Sequence, residues 1–258
     1  MKIAFSQSVD SPESSFFVLE FLDFRMFDAS LFSDAPERRV ICDRCRRPQK
    51  NACICSTLPS KTVYTPHFHT IIIQHPLELT KPLNSVQLFP LILNDFTIHL
   101  IRRRKNDNDA SMDKVLTEAR QRHDHVVLLY PPTKHDPSVE FREYLNSNVT
   151  QDQSVAIVAL DASWQYSQNM YHRFKEQLRP LPKVYLCPSQ ASIYVKIEPS
   201  SQHVSTLEAI ALSLNDFYHH RQEQNEASHT LMQAFTKFNA IQRYYQHQSD
   251  SEKPASSQ

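Results

Sequence analysis

The chain has 258 residues, 40% hydrophobic and 22% charged, with 28 Lys plus Arg against 28 Asp plus Glu. That supplies a core for one large domain, or for one domain with a small appendage. The zero formal charge excludes a global field steering the chain to nucleic acid or membrane, so any such attraction is local. Glycine is absent, where roughly 18 residues would be usual for this length. Its absence excludes a Walker phosphate loop, a GxGxxG dinucleotide fingerprint and a GxSxG nucleophile elbow. Positions needing positive φ must then fall to Asn and Asp, with Asn94-Asp95 and the Asn106–Asp109 run as candidate sites.

Residues 1–36 read as an N-terminal extension with an apolar patch, Phe16 to Phe27, interrupted by acids and too short to span a membrane. No basic start, apolar stretch and small-residue cleavage site marks a secretory signal, so an intracellular protein, cytoplasmic or nuclear, without membrane contact is expected. Residues 37–60 change character. Cys42-x2-Cys45-x7-Cys53-x-Cys55 gathers four of the five cysteines, in two close pairs. Thiolates at this spacing close a tetrahedral zinc shell, which predicts a structural zinc knuckle with no open position for catalysis. Disulfides are the weaker reading without a secretory context. Around the cysteines stand Arg38, Arg39, Arg44, Arg46, Arg47 and Lys50, against only Glu37 and Asp43. A second basic run is Arg102-Arg103-Arg104-Lys105. Charge runs are commonly solvated faces, but two of them on a neutral protein, one on a metal knuckle, tilt toward phosphate contacts with nucleic acid.

From residue 61 to 247 short apolar runs alternate with longer amphipathic ones, which predicts an α/β domain with a mostly parallel sheet and flanking helices. The expected strands are Thr70–Gln74, Thr97–Ile101, His125–Tyr130, Ser154–Leu160 and Val184–Cys187. The expected helices are Lys81–Leu93, Ser111–His123, Ser138–Asn146, Trp164–Leu178, Ser205–His220 and Ser228–Gln246. The end of the chain (248–258), polar and without apolar content from Ser249 on, reads as a frayed tail. Four strands run into polar or proline-containing turns, Gln74-His75-Pro76, Tyr130-Pro131-Pro132, Asp161-Ala162-Ser163-Trp164 and Cys187-Pro188. Ligands of open α/β sheets settle outside the carboxyl ends of the strands, so these turns are the expected site.

Within them, spacing alone favours Asp161 or Ser163 as a helix cap with Trp164 packed in the core. The functional alternative has the carboxylate and the only tryptophan facing a ligand. Ser205-Thr206-Leu207-Glu208 reads as a capping box whose helix start could also hold a carboxylate. The thirteen histidines lack the paired helical spacing of a catalytic zinc site, and most are expected at the surface, His75 in its turn excepted.

Taken in order, Cys42-x2-Cys45-Arg46-x-Pro48-x4-Cys53-x-Cys55, Gln74-His75-Pro76-x-Glu78 with Asn84-Ser85, Tyr130-Pro131, Asp161-x-Ser163-Trp164 and Ser205-Thr206-Leu207-Glu208-Ala209 resemble the DTW-domain proteins, the tRNA-uridine aminocarboxypropyltransferases. The likeness covers about residues 40–215. Ser163 stands where the family has Thr, Ser85 where it often has Thr, and Gln202-His203-Val204 where a glycine commonly precedes the capping box. The resemblance implies a SPOUT-like fold with a trefoil-knotted sheet. It implies S-adenosylmethionine as donor of a 3-amino-3-carboxypropyl group and a tRNA uridine as acceptor, with methylthioadenosine released. For that reaction Asp161 is the expected general base or the group orienting the acceptor nitrogen, with binding of the donor's amino group a simpler role for the same position, and Trp164 is expected to shape the pocket. The donor-binding loops would carry His75, Glu78, Ser85, Tyr130, Pro131, Leu186, Ser205, Thr206 and Glu208. Arg44, Arg46, Arg47 and Lys50 on the knuckle, with Arg102, Arg103, Arg104 and Lys105, would hold tRNA backbone. The rival from another class is a non-catalytic zinc-containing RNA-binding module. Nothing in the sequence sets an oligomeric state.

Overall fold

The computed structural model describes residues 40–81, 84–101, 109–133, 136–187 and 204–251. The Phe16–Phe27 patch, Arg38-Arg39, the basic run 102–105, residues 106–108, Gln202-His203 and the tail past Ser251 lie outside the described residues. Among the described residues there are six strands: β1 (Phe68–Gln74), β2 (Phe96–Leu100), β3 (His125–Leu129), β4 (Val139–Glu140), β5 (Val155–Asp161) and β6 (Lys183–Tyr185). They form one sheet in the order β2-β1-β5-β3-β6-β4, and every pairing in it is parallel. All five expected strands are there. β4 is the addition: two residues held by pairing with β6 are too short to show any periodicity in the sequence.

The composition of the central strands explains their place. Ile71-Ile72-Ile73 and Val155-Ala156-Ile157-Val158 are buried on both faces, as strands in a covered parallel sheet must be. Phe68, Ile72, Val127, Val155, Ile157 and Val184 point to one face, Ile71, Ile73, Val126, Leu128, Ala156 and Val158 to the other. The second face is covered by α2 (Asp109–Arg122), α4 (Trp164–Arg173) and α5 (Lys175–Leu178), through Met112, Leu116, Met170 and Leu178. The first is covered by α3 (Phe141–Asn148), α6 (Thr206–His220) and α7 (Ala227–Ser251), with the short α1 (Phe89–Ile92) and the knuckle joining the same core. Phe68, Phe217, Phe235 and Phe238 are fully buried there, each contributing roughly 1.5–3 kcal/mol relative to exposure.

Several elements differ from expectation for identifiable reasons. The helix expected over 81–93 is a 3-10 turn, Ser85–Leu88, running into α1. The Asn84 side chain accepts from the Val86 amide and starts a new turn, and Pro90 is tolerated because it stands in the first turn of α1. The helix expected over Trp164–Leu178 breaks at Phe174, whose ring is fully buried between α4 and α5. The final helix α7 continues to Ser251, past the start of the expected tail.

Positive φ is also not where Asn and Asp would put it. Arg46 (56°), His67 (63°) and Gln222 (58°) adopt it among the described residues, and Asn94 and Asp95 do not. Gln222 closes α6. Its amide donates to His219 O at 3.1 Å and the Glu223 amide to Tyr218 O at 3.0 Å, the two bonds of a Schellman ending. That pattern demands a left-handed residue whatever side chain the sequence offers, at a cost of roughly 1–2 kcal/mol for one with a Cβ.

Candidate active site

Because all strands are parallel, their carboxyl ends share one rim. The register of β1 and β5 sets Gln74 opposite Asp161. Asp161 is only 8% exposed, and both of its carboxylate oxygens are engaged. Gln74 donates from Nε2 to Oδ2 at 2.8 Å, and Thr206 donates from Oγ1 to Oδ1 at 2.8 Å. The His75 amide donates to the Asp161 carbonyl at 2.9 Å. One acidic residue therefore ties together the turn after β1, the end of β5 and the start of α6.

This overturns the cap role for Asp161, whose side chain bonds to β1 and α6 instead. Ser163 is the N-cap of α4 by position, but its side chain makes no capping bond. Trp164 does not pack in the core; it stands 39% exposed at the first position of α4. Two residues further on, Tyr166 stacks on His75 with ring centroids 4.6 Å apart and planes 21° from parallel. The His75 Nδ1 accepts from the Leu77 amide at 3.3 Å, so the neutral ring carries its proton on Nε2.

The other rim residues are supports of different kinds. Glu78 is buried in the 3-10 turn Pro76–Thr80 and takes the Lys81 ammonium at 2.5 Å. Its carbonyl accepts from Asn84 Nδ2, which joins that turn to the one containing buried Ser85. Tyr130 is buried at the end of β3 and stacks on Tyr171 at 4.4 Å, and burial pushes its hydroxyl above the usual range. Pro131 and Leu186 are half-buried beyond β3 and β6. The capping box of α6 is complete: the Ser205 amide donates to Glu208 Oε2 at 2.9 Å and the Glu208 amide to Ser205 Oγ at 3.3 Å. It uses the amides of Ser205 and Glu208, so the remaining first-turn donors of α6 are those of Thr206 and Leu207.

Sequence reading gave no role to Gln74, although it stood in an expected site turn, and missed Tyr166 and Lys81. Gln74 had a signal, an amide directly after the apolar run Ile71-Ile72-Ile73 in a strand that is covered on both faces. Tyr166 and Lys81 had none, since a ring stack and an ion pair across turns depend on where those turns fold.

The four cysteines converge. Their Sγ atoms all lie within 4.8 Å of one another, with Cys42 and Cys55 at 3.5 Å and Cys45 and Cys53 at 3.7 Å. Four thiols around one point fit the donor set of a tetrahedral thiolate site, so the cluster could hold a metal ion. The backbone amides of Cys45 and Arg44 hold the Cys42 thiol down at about 6, while burial pushes Cys55 up to about 12. Cys45, Ala52 and Ile54 belong to the same core cluster as Phe235 and Phe238 of α7, so the knuckle is packed on the domain. Its basic residues are not equivalent. Arg44 donates to the Pro59 carbonyl, and Arg47 lies over the Phe238 ring at 4.3 Å. Arg46 and Lys50 are exposed.

The family whose pattern matches is the DTW domain, over residues 39–243. The protein named tRNA-uridine aminocarboxypropyltransferase 2 from Mus musculus is 33% identical over 183 residues, covering 69% of this chain and 57% of its own length. The protein named tRNA-uridine aminocarboxypropyltransferase A from Arabidopsis thaliana is 26% identical over 200 residues, covering 70% of this chain and 74% of its own. The chain thus spans little more than half of the mouse relative. No solved structure matches it.

Proposed function

The chain belongs to the DTW-domain family, and on that premise we propose that it transfers the 3-amino-3-carboxypropyl group of S-adenosylmethionine to a uridine of tRNA inside the cell. The observation that carries this reading is the convergence of three separated motif segments on one carboxylate, Asp161, while His75 in the turn after β1 stacks on Tyr166 in the first turn of α4, which Trp164 opens. As donor substrate, S-adenosylmethionine supplies a carbon activated by an attached sulfonium. The uridine ring nitrogen between the two carbonyls gives up its proton and bonds to that carbon, while the carbon–sulfur bond breaks and its electron pair stays on the sulfur of the departing methylthioadenosine.

The chain's own residues then have distinct work. Asp161 takes the nitrogen's proton or holds the donor's amino group, its position fixed by Gln74 and Thr206. The amides of Thr206 and Leu207, at the positive end of α6, suit the donor's carboxylate. Ser205 and Glu208 keep that end in shape through the capping box. Trp164 offers an exposed ring against which a base can stack. His75, Glu78, Ser85, Tyr130, Pro131 and Leu186 build the surrounding turns. Most of the acceleration expected here comes from holding nitrogen and carbon in line. The SPOUT-like topology belongs to the same proposal. In the knuckle Cys42, Cys45, Cys53 and Cys55 would hold zinc, which stabilises a segment too polar to fold alone.

The test is methylthioadenosine release and mapping of the modified nucleoside with unmodified tRNA, for the full chain and for Asp161→Asn. We expect Asp161→Asn to lower transfer about 100-fold or more. Retained thermal stabilisation by S-adenosylmethionine would assign the residue as base, and its loss as a donor ligand. Transfer equal to wild type would remove Asp161 from the chemistry. Metal analysis of the same preparation should give one zinc per chain, lost in Cys53→Ser together with several degrees of thermal stability.

A further inference from the structure

Between the knuckle, the turn after β1 and α7 lies a groove of about 560 Å³, lined among others by Arg46, Arg47, Leu79, Lys81, Gln87 and Tyr245. Three segments far apart in sequence build it, and among the described residues lining it there is no carboxylate, Glu78 meeting it only through Lys81, although the protein as a whole is neutral. Arg47 is fixed over the Phe238 ring, so its guanidinium meets a ligand with little freedom left to lose. Arg46 is exposed and sits on a left-handed backbone, a strained conformation at the groove's own edge. Tyr245 at 38% and Leu79 at 55% expose flat apolar surface beside these cations. Cations next to an exposed ring suit unpaired nucleotides, whose bases can stack where those of a duplex cannot. Lys81 links the groove to the rim, because it pairs with Glu78 in the turn that begins at His75.

We propose that this groove binds an unpaired stretch of the substrate RNA and leads it from the knuckle to the rim, with Tyr245 as a stacking platform and Arg46 and Lys81 on phosphates. The inference rests on the rim being the uridine-modifying site. Its test uses the full chain with a labelled short oligouridine, a duplex RNA and unmodified tRNA, in a salt series. Tyr245→Ala should weaken oligouridine binding about tenfold with the salt slope kept. Arg46→Ala should reduce the slope by about 0.7, the share of one phosphate contact on a single strand. Both side chains are exposed, and circular dichroism of the variants checks that folding is intact. Crosslinking of a 4-thiouridine probe should fall on the peptide containing Tyr245. Wild-type affinity and slope in both variants would overturn the groove, as would duplex bound as tightly as oligouridine and weakened equally by both changes. The two readings fail separately. Groove-dependent binding without methylthioadenosine from any tRNA sinks the transfer, and transfer with variant-independent binding sinks the groove alone.

Discussion

The two rims of the sheet carry similar polar chemistry and differ in what surrounds it. At the amino-end rim His69 donates from Nδ1 to Asp95 Oδ1 at 2.6 Å, and its Nε2 bonds to Thr97 Oγ1 at 2.9 Å. His123 stacks on the same ring at 5.2 Å. Hydroxyl, imidazole and carboxylate in a row are the groups of a nucleophilic relay. Here they join the starts of β1 and β2, and a stacked ring closes the set. At the carboxyl-end rim no such row exists among the described residues, yet Asp161 gathers the turn after β1, the end of β5 and the start of α6. The lesson is that hydrogen-bond order alone does not mark a site. In a parallel sheet, the rim where loops diverge can enclose a ligand, while the opposite rim mainly staples strand ends.

Matched threonine variants give the largest test of this contrast. Thr206→Val should lower transfer about tenfold, because Asp161 loses the hydroxyl that fixes Oδ1. Thr97→Val should leave transfer as it is and cost about 1 kcal/mol of stability, the worth of one hydrogen bond. Methylthioadenosine release and urea unfolding read the two effects, and equal losses of transfer would erase the distinction between the rims. Next comes Gln222→Gly, at the end of α6 away from Asp161. It should raise stability by about 1 kcal/mol, or about 2–4 °C in Tm, by relieving a left-handed backbone without touching transfer. A Tm that does not rise would mean the Schellman ending carries no strain.

The smallest effect concerns pH. Burial, with the nearby His69 and Arg122, holds His123 below the usual imidazole range, while Asp95 and Asp124 oppose that. Its Nδ1 is buried without a hydrogen-bond partner. The unfolded chain then takes up a proton near pH 6.5 that the folded ring refuses. This contribution to stability is present above that pH and is lost as pH falls toward the lowered folded value. Asp95 follows at more acidic pH: the His69 hydrogen bond holds it below the usual carboxylate range, so its contribution fades only beneath that range. His123→Phe should keep the stack and flatten the stability profile just below pH 6.5, as measured by thermal melts across pH. An unchanged slope would assign it to other groups, such as His99, which burial also lowers.

These particulars also mark what was readable before folding. The apolar runs that became β1 and β5 could be read directly, because burial on both faces leaves continuous β-branched sequence. The capping box of α6 was equally plain, being local. Most of the histidines were expected at the surface, yet His69, His99, His123 and His125 are half-buried: His69, His123 and His125 meet at strand starts, and His99, late in β2, lies against Ser111 of α2. Trp164 was ambiguous for a related reason, as the first position of a helix can face in or out and only the orientation of α4 decides.

By itself the sequence determined the alternation of strands and helices, the cysteine cluster and the order of its motifs, all of which depend on neighbours within a few residues. The tertiary structure decided that Asp161 bonds to Gln74 and Thr206 rather than capping α4, that Tyr166 lies against His75, and that Gln222 bears a glycine's conformation. Each of those outcomes is set by register and by the way helices cross the sheet, and pairings across 87 or 45 residues leave no local trace in composition or spacing.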